Sequence, residues 1–98
     1  MGFRARPSTH RISLAPTNRA RCRKCRRLLA KGQPRITTTA NVMPGRATVF
    51  IRCAPECIDS KFATAALSVY KTAERVPIDP AVPCGVAEDV RAALVAAQ

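Results

Sequence analysis

What this 98-residue chain lacks narrows its function before anything else does. It has no tryptophan, three phenylalanines, one tyrosine and a single histidine, His10. One histidine leaves no Ser-His-Asp set, and neither a phosphate-cradling glycine loop nor a motif of paired carboxylates is present, so no enzyme and no small-molecule substrate are expected. No stretch reaches the eighteen or so apolar residues of a membrane span, and the opening MGFRARPSTHRISLAPTN lacks the apolar centre of a secretory signal. An intracellular place without a membrane partner is the expectation. Gly2 is no myristoylation signal, because Arg6 stands where Ser or Thr belongs.

The other absence is of acid. The first carboxylate in the chain is Glu56, so residues 1–55 carry thirteen Lys and Arg with no acid, against four bases and six acids in residues 56–98. A net charge of +11 distributed this way predicts attraction of the first half to a polyanion, with the second half as a near-neutral support. Residues 1–17 read as a flexible basic arm, since Pro7 and Pro16 interrupt the amphipathic helix that a transit peptide would need, which argues against a mitochondrial address. His10 in that arm is expected to be solvated.

Residues 18–98 read as one small α+β domain. Lys31-Gly32 signals a turn, ITTTA and ATVFIRC are β-branched runs, and Pro44-Gly45 between them supplies a reversal, so a two-stranded hairpin is expected with Val42 and Met43 near its tip. Asp59 or Ser60 caps a helix running to about Thr72, with Phe62, Ala66, Leu67 and Tyr70 on its apolar face. Pro77, Pro80 and Pro83 exclude helix from the linker VPIDPAVP, and a second helix starts at Gly85 with Val86, Val90, Leu94 and Ala97 on one side.

Four of the five cysteines fall into two pairs: Cys22-x2-Cys25, then 27 intervening residues, then Cys53-x3-Cys57. The first pair lies on a tight knuckle before the hairpin, and the second lies where its last strand turns into the helix. Two such pairs complete a tetrahedron about one structural Zn2+. A redox CxxC is the alternative, but its usual place is a helix start within a βαβ unit, which this pattern lacks. Cys84 stands apart and reads as a free, partly buried thiol. Around the first pair the stretch RARCRKCRRL holds six bases. Arg21, Arg23, Lys24 and Arg26 would lower the cysteine pKa values and offset the charge of four bound thiolates, with the excess left for phosphate.

The stretch NRARCRKCRRLLAKGQPRI resembles the opening of the zinc finger at the front of poly(ADP-ribose) polymerases, the PARP-type finger, which reads GRA-x-C-x2-C-x-x-x-I-x-K-G-x-x-R-[IL]. Arg19, Ala20, Cys22, Cys25, Leu29, Lys31, Gly32, Arg35 and Ile36 match in register. The similarity extends through the helix and the closing GVAEDVRAAL to about residue 96. The family places H-x2-C where this chain has Cys53 and Cys57, so the ligand set here would be four cysteines. The resemblance implies a fold of zinc knuckle, β-hairpin and two C-terminal helices, and a monomeric, stand-alone module that binds DNA without sequence specificity at breaks or ends. It implies damage recognition in the nucleus or on viral DNA. Arg19 and Arg35 would grip the sugar-phosphate backbone, helped by Lys31 and Arg46, while Val42 and Met43 would meet unstacked bases. A structural zinc protein of a ribosome or other ribonucleoprotein, binding RNA, is the competing reading.

Overall fold

The computed structural model describes residues 8–43 and 45–98, with the side chains of 41–43 and 46 outside that description. Three antiparallel strands, β1 (Thr9–Leu14), β2 (Pro34–Met43) and β3 (Arg46–Cys53), form one sheet in the order β1-β2-β3. Two helices follow, α1 (Ser60–Tyr70) and α2 (Cys84–Ala96), joined through a short 3-10 turn at Ala73–Arg75. The small α+β domain expected from the sequence is present. Its hairpin is larger than expected, because residues 9–14 are a third strand and not part of a flexible arm.

The reason β1 escapes a sequence reading is that its partners are all remote. THRISL offers only Ile12 and Leu14 as apolar positions. What holds it is pairing to β2, with Ile12 opposite Ile36, together with a covered outer edge. Tyr70 Oη accepts from the His10 N–H at 2.7 Å and donates to the His10 carbonyl at 3.1 Å. The Ile12 N–H donates to the Pro77 carbonyl, and Asp79 N–H to the Ile12 carbonyl, each at 2.9 Å. Every outward backbone group at these two residues is therefore satisfied by the linker or by α1, as a buried edge requires.

Alternation puts His10, Ile12 and Leu14 on the face that also carries Ile36, Phe50 and Arg52, and the helices cover that face. Ile12 and Ile36 are fully buried there, against Ala63 and Ala66 of α1 and Val90 and Leu94 of α2. Each isoleucine contributes about 2 to 3 kcal/mol by leaving water. Alanines on the inner face of α1 let the helix approach the sheet closely. Asp59 caps α1 by accepting from the Phe62 N–H at 2.8 Å, and Lys71, at φ 72°, ends it with an N–H to the Leu67 carbonyl. Both agree with the expected limits. α2 starts one residue earlier than expected, at Cys84, immediately after Pro83.

His10 is buried, contrary to its expected solvation, with its ring edge-on to Phe62 and Tyr70 at 5.5 and 5.9 Å. Its Nδ1 has no hydrogen-bond partner among the described residues. Burial pushes the imidazole below its ordinary value of 6.5. A base with a lowered folded pKa takes up protons more readily when unfolded, so stability is full above about pH 6.5 and falls as pH drops below it. Replacing His10 with phenylalanine, which suits the same aromatic slot, is expected to lessen the fall of stability as pH drops below about 6.5. Denaturant titrations of both proteins across that range check it.

Candidate metal centre

The loop from Ala15 to Gln33 and the end of β3 enclose a second, smaller core made of Ala15, Cys22, Leu29, Cys53 and Cys57, with Ile51 against it. The knuckle closes on itself: the Cys22 N–H donates to the Arg27 carbonyl and the Arg26 N–H to the Cys22 carbonyl, both at 2.9 Å, while Cys25 N–H points at Cys22 Sγ at 3.5 Å. It is docked on the sheet by the Arg23 N–H, which donates to the Ile51 carbonyl at 2.7 Å. Across from it, β3 ends at Cys53, and a tight turn with Cys57 N–H on the Cys53 carbonyl at 3.2 Å brings the second pair together.

All four sulphurs lie within 4.8 Å of one another. Cys25 and Cys53 are 3.8 Å apart and Cys53 and Cys57 3.0 Å. A tetrahedral ion with bonds of about 2.3 Å to sulphur separates its ligands by about 3.8 Å, so the cluster has the dimensions of a four-thiolate site and is consistent with zinc. Cys22, Cys53 and Cys57 are buried and Cys25 is exposed. Cys84, at the start of α2, is exposed and outside the cluster, so it is free as expected but not partly buried.

Cys22, Cys53 and Cys57 influence one another's ionisation. Burial raises the Cys22 thiol, but hydrogen bonds from the backbone at Cys25, Cys53 and Lys24 and from the Cys57 thiol outweigh it and bring Cys22 down to about 6. Burial holds Cys53 and Cys57 above their ordinary value, and the negative charge on Cys22 pushes them further the same way. One thiolate forms readily, whereas a second beside it is opposed. A divalent ion held by Cys22, Cys25, Cys53 and Cys57 would remove that opposition and bind the four sulphurs as thiolates, their protons being released.

The basic residues around the centre divide by what they touch. Arg19, Arg21, Arg23, Arg26, Arg27 and Lys31 are exposed. Arg21 Nη1 donates to the Arg26 carbonyl at 3.1 Å, and the Arg23 guanidinium lies 3.8 Å over the Phe50 ring. Lys24 pairs with Asp59 at 3.1 Å, and Arg52 reaches Asp59 and the Cys57 carbonyl at 3.3 and 3.2 Å. The Phe62 N–H, Lys24 and Arg52 together hold the Asp59 carboxyl down at about 2. This cluster links the helix cap to both cysteine pairs, which leaves Lys24 committed to a carboxylate. Arg35 is half-buried, in register with Cys53 on β3, and its Nε donates to Ser13 Oγ at 3.1 Å. It is thus tied into the sheet rather than fully free at the surface. The side chains of Val42, Met43 and Arg46 lie outside the described residues.

Arg27 is exposed but is not singled out by the sequence, and Arg26, expected to offset the thiolates, has a signal that sequence cannot carry. It sits at φ 67°, the left-handed conformation that glycine adopts without strain and that costs a side-chain-bearing residue about 1 kcal/mol or more. Arg26→Gly is expected to raise the melting temperature by about 5 °C. Calorimetry of the two proteins checks it.

No family model matches the chain, and no curated protein or solved structure is found to be similar to it. Among the described residues, no helix is long and apolar enough to cross a membrane.

Proposed function

We propose that the chain is a zinc-stabilised, sequence-nonspecific DNA-binding module with a preference for strand breaks or ends, acting as a structural grip and not as a catalyst. The observation that carries this reading is the set of six exposed bases, Arg19, Arg21, Arg23, Arg26, Arg27 and Lys31, on and beside the knuckle that brings Cys22 and Cys25 to a four-cysteine cluster with three buried members. The half of the chain that contributes them holds no carboxylate. Metal binding fixes the turn, and the turn fixes where the cations stand, so phosphates spaced along a backbone meet them without ordering the loop again at the moment of binding.

The preference for breaks draws on the hairpin. Among the described residues, β1 pairs with β2 as far as Thr39, and from Ala40 to Ala47 the hairpin continues with β2 and β3 paired to each other. Val42 and Met43 lie near the turn of this hairpin in sequence, and apolar residues at such a turn are suited to stack on the unpaired face of a terminal base. A nucleus, or any compartment holding broken DNA, is the corresponding place of action.

The test compares binding to nicked duplex, blunt-ended duplex, covalently closed circular duplex and structured RNA at several salt concentrations. Nicked or ended DNA should bind about tenfold more tightly than closed DNA, with a steep linear fall of log affinity against log salt. Equal or tighter binding of the RNA would replace DNA by a ribonucleoprotein partner, and salt-independent binding of either would sink the phosphate grip.

A further inference from the structure

The two edges of the sheet are treated differently. At β1, Tyr70, Pro77 and Asp79 satisfy the outward groups of His10 and Ile12. At β3, the Arg23 N–H reaches the outward carbonyl of Ile51, which shows that Ile51, and by alternation Val49 and Ala47, direct their backbone groups away from β2. Among the described residues, nothing pairs with Val49 or Ala47 on that side. Natural proteins blunt such edges with charge, proline or a covering element. Here the knuckle blunts one end, at Ile51, and the run from Ala47 to Val49 stays open with Val49 56% exposed.

We propose that this edge of β3 accepts an extended acidic segment of a partner protein as a fourth strand. The choice of occupant rests on charge and on the two faces of the edge. Phe50 and Val49 alternate, so a strand laid along β3 presents one set of side chains toward Phe50 and the exposed guanidinium stacked on it, Arg23, and the other set toward Val49. Acidic residues suit the first set and β-branched apolar residues the second. A second copy of this chain is opposed by its charge, since two molecules of +11 would have to place their basic halves side by side. The outward Val49 N–H and carbonyl and the Ile51 N–H supply the backbone bonds, and the Arg23 backbone at the Ile51 carbonyl marks where the added strand must stop. The site adjoins the phosphate grip and shares Arg23 with it.

The experiment titrates the metal-loaded protein with a capped pentapeptide alternating glutamate and valine, followed by amide resonances and by hydrogen exchange. Binding should shift the Val49 and Ile51 amides and slow exchange of the Val49 N–H at least tenfold. The same peptide with methylated backbone nitrogens, and a peptide alternating lysine and valine, should bind at least tenfold more weakly. Val49→Pro removes an outward donor without touching the ladder to β2, and should weaken the peptide tenfold or more while metal content stays the same. Arg23→Glu should reverse the preference toward the lysine peptide, which keeps the test decisive if the proline variant folds poorly. Equal binding of the methylated peptide, an unchanged affinity in a folded Val49→Pro, or no reversal in Arg23→Glu would overturn the proposal. So would concentration-dependent protection of Val49 without peptide, which would assign the edge to a second copy.

Discussion

Cys53→Ser should lose the metal and the fold together, whereas Cys84→Ser should lose neither. Cys53 ends β3, and its sulphur lies 3.0 Å from Cys57 and 3.8 Å from Cys25. It is therefore the thiol of the four-cysteine cluster that joins the strand to the knuckle. The small core around it contains Ala15, Leu29 and three buried cysteines, with little apolar surface to hold the nineteen-residue loop from Ala15 to Gln33 on the sheet unaided. A structural zinc contributes about 10 to 16 kcal/mol of apparent binding free energy, as much as the whole stability of an ordinary domain, so removing one of its ligands is not a local change. A serine hydroxyl binds the ion poorly at neutral pH and leaves three thiols that oppose one another's ionisation. Cys84 touches none of this, being exposed at the start of α2. Metal analysis with far-UV circular dichroism decides the matter. A folded Cys53→Ser with full metal content, or a metal-free Cys84→Ser, would show that the ligand set is different.

Reversing two knuckle charges should weaken DNA binding on the order of 10²-fold, against no more than a few-fold for two reversals of equal net charge elsewhere. The informative pair is Arg19→Glu with Arg27→Glu, compared with Lys71→Glu with Arg75→Glu. All four residues are exposed, but the first two flank Cys22 and Cys25 in sequence and the second two sit at the end of α1 and on the 3-10 turn. Each phosphate contact adds about 0.9 to the slope of log affinity against log salt, so losing two lowers that slope by about 2 for the knuckle pair only. Equal losses from both pairs would mean that net charge, and not the knuckle, attracts the polyanion. The Arg26→Gly variant complements this by removing a charge while relieving backbone strain, which separates weaker binding from weaker folding.

The sequence by itself determined what depends on short spacings. The two cysteine pairs, the apolar stripes of Phe62, Ala66 and Leu67 and of Val90 and Leu94, the Asp59 cap and the turns at Gly32 and Gly45 are all encoded within a few residues of where they act. The charge division at Glu56 is likewise a property of composition. Tertiary structure alone decided the rest, because those features are set by partners far along the chain. THRISL becomes β1 only through Ile36, Tyr70, Pro77 and Asp79, and the burial of His10 follows from Phe62 and Tyr70. Among bases that look alike in sequence, folding tied Lys24 to Asp59 and Arg35 to Ser13, and left Arg19 and Arg27 exposed. A long flexible cation can meet whatever carboxylate or hydroxyl the fold brings within reach, and no local pattern records which one that will be.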